Sequence, residues 1–177
     1  LETAHLENEA AIFALAIYAG NPRFANFLGV IPPQKQQILS GKFIPTLASR
    51  RDLSQHFIFS AAIKLLSDQG ATVAIGEFKE LMDRVSTGSG YSFVDLAADK
   101  AGVVFADYLT HPDTASVAQH RLAQSASEAI FFPMIEHLPE GLNTDAFAQT
   151  FTAVDSPEYQ AMIDNIQARL KELSLYH

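Results

Sequence analysis

Apolar residues recur at intervals of three and four along almost the whole chain, and the period-two alternation of a half-buried strand is nearly absent. A chain patterned this way buries its apolar stripes by packing helix on helix, so the sequence predicts an all-α bundle of six to seven helices. With 177 residues it is long enough to bury most of its apolar surface without a disulfide or a structural metal, and one helical domain over residues 1–177 is expected.

Breakers and capping pairs divide the chain. The first helix is expected over 6–19, stopped by Gly20-Asn21-Pro22, a C-terminal glycine followed by a residue that cannot continue a helix. Pro32, Pro33 and Pro45 leave residues 29–49 irregular. Asp52 and Gln55 stand at capping-box spacing ahead of a second helix that ends before Gly70, and a third is expected at about 71–85. A Gly/Ser-rich loop separates the third helix from the fourth, where Ser92 and Asp95 repeat the capping spacing; the fourth ends before His111-Pro112. A fifth helix is expected from near Asp113 to Pro133. "TDAFAQTF" follows, then a last helix over about 156–173, headed by Asp155 with Glu158 and with Pro157 in its first turn.

Charge narrows the classes of partner. A formal net charge of −8 and a pI near 5.1 supply no basic footprint for nucleic acid, so no nucleic-acid partner is expected. No apolar run approaches the roughly 20 residues that span a bilayer. Cysteine is absent, which removes thiolate nucleophiles, thiolate metal sites and disulfides together. The chain starts at Leu1, so preceding residues, a signal peptide among the alternatives, are expected to have been removed.

Polar residues on apolar helices mark a candidate site. In the second helix Phe57, Ile58, Phe59, Ala61, Ala62, Ile63, Leu65 and Leu66 wrap almost all round, as in a buried helix, while His56 and Ser60 interrupt them at i and i+4 on one face. Gly76 and Glu80 share a stripe of the third helix; Asp95, Asp99 and Gly102 share one on the fourth. Glycine within a helix costs about 1 kcal/mol relative to alanine, so both glycines suggest that other backbone comes close. Packing the three stripes together predicts a polar pocket of His56, Glu80, Asp95 and Asp99, with Lys79 and Ser60 at its margin.

Three segments carry a resemblance. "RRDLSQHFIFSAA", "GEFKELMD" and "GSGYSFVDLAADKAG" together resemble the pattern of the YfiM-type putative lipoproteins and, more distantly, the VanZ-like proteins: a His-Phe pair opening one helix, a Lys-Glu pair in the next, and a Gly-Phe-Ser-x-x-Asp-Leu-x-x-Asp segment opening a third. The likeness spans about residues 50–106. It points to His56, Lys79, Glu80, Ser92, Asp95 and Asp99, and it implies a periplasmic or envelope location, the cytoplasm remaining open, with an envelope polymer or protein as partner. Tyr91 stands where the pattern has phenylalanine, and this chain lacks membrane-spanning helices.

Three chemistries compete for the pocket. Glu80, Asp95, Asp99 and His56 could hold a divalent cation, because oxygen donors with one imidazole suit Mn, Mg or Zn, although the H-E-x-x-H signature is missing. Alternatively Glu80, its pKa raised by burial beside Asp99, serves with Asp99 and His56 in acid–base catalysis of the kind two-carboxylate hydrolases use, on peptidoglycan or another glycan. Ser60 near His56 is a weaker nucleophile candidate, since no G-x-S-x-G elbow exists. In the third reading the groups only order the core of a non-enzymatic structural or interaction protein: Asp95 caps its helix, Glu80 pairs with a cation, and His56 is hydrogen-bonded across helices.

Overall fold

A computed structural model describes residues 3–21, 24–25, 44–68, 90–125 and 127–177. The third helix expected at 71–85, with Gly76, Lys79 and Glu80, lies outside the described residues, as does the loop through residue 89. The fold is all-α, and no strand occurs among the described residues. They form six α-helices: α1 (Ala4–Leu15), α2 (Arg51–Asp68), α3 (Phe93–Thr110), α4 (Ala115–Gln124), α5 (Thr144–Phe151) and α6 (Pro157–Lys171).

The helix ends follow local chemistry, with informative shifts. Ser92 caps α3 as expected: its backbone is extended and its Oγ accepts the Asp95 N–H at 3.0 Å. Asp52 falls inside the first turn of α2 and is no cap, because its carboxylate is taken by Arg50. At α6 the cap is Ser156 instead of Asp155; Ser156 Oγ accepts from Tyr159 N at 3.2 Å, and Pro157 opens the helix where a missing N–H costs nothing. The expected fifth helix is cut short. α4 stops at Gln124, Ser125 is extended, and a separate 3₁₀ turn (Glu128–Ile130) is capped by Ser127. Serines there offer the backbone local hydrogen bonds that compete with helix continuation. The first helix starts earlier than its pattern suggests, at Ala4, and runs beyond Leu15 through a wider π turn to Gly20.

α2 and α3 form the centre, with α1 laid against both and α4 closing one end. Buried Leu53, Phe57, Ile58, Phe59, Ala61, Ala62, Leu65 and Leu66 on α2 face Val94, Ala97, Ala98, Ala101, Phe105 and Leu109 on α3 within one core. Alanine and glycine on α3 let the two backbones approach closely: a Cβ at Gly102 would overlap the Phe57 carbonyl oxygen. Phe105, Phe131 and Phe132 pack around the Phe57 ring with centroids 5.1, 5.6 and 6.2 Å away, whereas Met134 is 73% exposed. Buried Asn8 ties α1 to the end of α3 and the start of α4, donating to Leu109 O (2.7 Å) and Ala115 O (3.2 Å) and accepting from Gln119 (2.9 Å).

Candidate functional site

The site sits where the first turns of α2 and α3 meet the loop before α5. Two local devices present it. Ahead of α2, Leu47 and Arg50 exchange two backbone hydrogen bonds across a turn in which Ala48 (φ 48°) and Ser49 (φ 61°) are both left-handed, a conformation unfavourable for residues with a Cβ. Glu128 steadies the turn by accepting the Ala48 N–H at 3.0 Å. Ahead of α3, Tyr91 pairs with Leu142 through two backbone hydrogen bonds and Phe93 N donates to Pro139 O, which brings Glu140 alongside.

Arg50 joins the two sides. Its guanidinium donates to Asp52 (3.2 and 2.5 Å) and to Glu140 (2.7 Å), two residues otherwise 88 positions apart in the chain, and lies 4.0 Å from Asp95 Oδ1. The Asp52 bond, more than the Glu140 bond, strengthens the hold of Arg50 on its proton, and the same bond keeps the Asp52 carboxyl below its ordinary pKa.

His56 lies behind this bridge, 7% exposed, between two aspartates of α3. Nδ1 donates to Asp99 Oδ1 at 3.1 Å, and Nε2 is 3.8 Å from Asp95 Oδ2. Ser60 Oγ donates to the same Asp99 oxygen at 2.8 Å. Burial works against a charged imidazole, but the Asp99 bond and the fields of Asp99, Asp95 and Asp52 outweigh it, so the His56 pKa is raised. Asp95 is also raised, chiefly by burial, with the positive charges of His56 and Arg50 opposing. Its Oδ1 is buried and accepts no hydrogen bond among the described residues; at 4.0 Å the Arg50 contact is too long to count as one.

The arrangement brings together His56, Asp95 and Asp99, three of the residues expected to converge, and sets Ser60 beside them. Lys79 and Glu80 lie outside the described residues. Asp95 is the third residue of α3 and has its side chain in the cluster, so the cap is Ser92 and not Asp95. Ser60 is bound to Asp99 and not to His56, the reverse of the order in which an imidazole withdraws a serine proton, so the geometry gives no activated serine. Among the described residues no group of three His, Asp or Glu side chains is placed to hold a metal ion: the imidazole separates the aspartates, each nitrogen facing a different one.

Arg50, Asp52 and Glu140 complete the cluster without having been singled out for it. The Arg50-Arg51 pair is visible in the sequence, but Glu140 reaches Arg50 across a separation of 90 residues and leaves no local trace. Tyr91 and Tyr159 join at its edge with hydroxyls 2.8 Å apart, and the Tyr91 hydroxyl resists ionisation because of burial, that bond and the negative charge of Asp99. The chain matches no known protein family, no curated protein and no solved structure.

Proposed function

We propose that the Asp95–His56–Asp99 cluster is an acid–base centre of hydrolase type and that the protein acts on a glycan of the cell envelope, peptidoglycan foremost. One observation carries the acid–base reading: Asp95 has a buried carboxylate oxygen with no hydrogen bond, beside an imidazole that favours its charged form. Such an oxygen is costly to the fold unless a substrate group or a transferred proton meets it. Asp95, its carboxyl raised by burial, gives a proton to the oxygen leaving the broken glycosidic bond; water adds to the other side of that bond and releases a proton that restores Asp95, while the His56 imidazole, oriented by Asp99, balances the charge of the ionised carboxylate. The envelope location and the glycan rest on the resemblance of residues 50–106 to the YfiM-type pattern. A divalent cation at His56, Asp95 and Asp99 is the less favoured chemistry, because the imidazole stands between the two carboxylates.

A second reading is favoured by the contact of Gly102 with Phe57 one turn away from Asp99. There the cluster fixes the register of α2 against α3, and the protein is a structural or interaction component of the envelope. Digestion of purified peptidoglycan separates the two. Release of soluble fragments by the native protein, lost in Asp95→Asn while the fold melts no lower, supports the enzyme. No release by the native protein, with both Asp95→Asn and Asp99→Asn melting far lower, supports the structural role.

A further inference from the structure

Along α3, and lined by no member of the His56 cluster, the described structure has a cavity of about 580 Å³. It is lined by Lys100, Val103 and Val104 of α3, Leu170 and Lys171 at the end of α6, and Tyr176 of the 3₁₀ turn that follows (Ser174–Tyr176). A second cavity of about 400 Å³ shares Val104 and Tyr176 with the first and continues along α3 past Tyr108 to His111. The two make one trough with mostly apolar walls, both lysines lining the first cavity and neither the second. Among the described residues the one acidic side chain lining either cavity, Asp107, borders the second cavity and is paired with Lys64 at 3.0 Å.

Two features mark the trough as built for a ligand of definite polarity. Neither Lys100 nor Lys171 has an ion-pair partner among the described residues, although the chain carries a net charge of −8 and carboxylates are plentiful. The Tyr176 hydroxyl is buried and unpartnered, its ring held edge-on to Tyr108 at 5.2 Å. A pocket of several hundred Å³ with apolar walls and a few polar groups at one end suits one small amphipathic molecule.

We infer that this trough binds a single-chain aliphatic carboxylate, its head between Lys100 and Lys171 and its tail laid along Val103, Val104 and Leu170 toward Tyr108. Charge complementarity selects the anion over a neutral or cationic amphiphile, and the volume selects a free acid over a two-chain phospholipid.

Laurate, kept below its critical micelle concentration and titrated into the full chain at low salt, tests this. Saturable one-to-one binding is expected, with the methyl resonances of Val103, Val104 and Leu170 shifting together. Replacing both lysines (Lys100→Gln with Lys171→Gln) should weaken laurate on the order of tenfold and leave dodecanol affinity unchanged, the size expected for two partly exposed ion pairs. Val104→Phe, which fills the trough, should abolish binding of both. Absence of saturable laurate binding, undiminished binding to the double-lysine variant, or shifts confined to other residues would overturn the proposal. So would association with phosphatidylglycerol vesicles by a protein that ignores free laurate, because the lysines would then serve a membrane surface.

Discussion

Gly102 of α3 lies so close to the carbonyl of Phe57 in α2 that a methyl group on its α-carbon would overlap the Phe57 oxygen and approach Ala61 N to 3.1 Å. The obstructing atoms are backbone, which cannot rotate aside as a side chain would. Alanine normally stabilises a helix by about 1 kcal/mol over glycine, but here the clash should dominate, and Gly102→Ala should destabilise by about 1–3 kcal/mol. Urea denaturation measures the difference; a more stable variant would contradict the close approach.

The two aspartates should respond differently to neutralisation. Asp99 accepts from both buried His56 and half-buried Ser60, so Asp99→Asn leaves two donors poorly matched and should cost about 1–3 kcal/mol. Asp95 has an oxygen without a partner, and Asp95→Asn should be neutral or stabilising. Thermal melts of the two variants decide it. Equal, large losses would mean that Asp95 is as fully engaged as Asp99.

Titration of the cluster should make stability fall on the alkaline side. His56 has a raised pKa in the fold, so its stabilisation is complete below its unfolded value of 6.5 and is lost as pH rises through the higher folded value. Asp95, also raised, acts in the same direction from its unfolded value of 3.8 upward, since the fold favours its protonated form. Asp52 is lowered, and its contribution is present above 3.8 and lost only as pH falls through its folded value. The melting temperature should therefore decline between pH 6 and pH 9, and His56→Gln should flatten that decline. A melting curve that rises over this interval would rule out a charged His56 as a stabilising group.

Relief of the left-handed turn before α2 should stabilise the protein. Ser49 has φ 61° and its side chain makes no hydrogen bond among the described residues, so Ser49→Gly removes the Cβ penalty at the position. A gain of about 0.5–1 kcal/mol in chemical denaturation is expected. A loss would show that the serine side chain contributes more than its backbone conformation costs.

Much of the architecture can be traced to short-range patterns. The apolar period dictated helices, Ser92 with Asp95 set the start of α3, and His111-Pro112 followed its end at Thr110. The i, i+4 spacing placed His56 and Ser60 on one face of α2, and Asp95 and Asp99 on one face of α3, because the helix repeat does this whatever surrounds it. An interior glycine among alanines likewise announced that another backbone would come near. Where helix ends slipped, neighbouring polar groups competed for the same backbone donors, as when Ser156 took the cap from Asp155.

The sequence by itself determined which residues could share a helical face, since that follows from a fixed 3.6-residue turn and needs no partner. Only the tertiary structure decided which groups meet across helices. It gave Asp99 to both His56 and Ser60, left one Asp95 oxygen unpaired, and drew Arg50 between Asp52 and Glu140. Those choices depend on the approach of α2 to α3 and on a loop 90 residues distant, and hydrogen bonds made over such separations have no periodicity along the chain from which to read them.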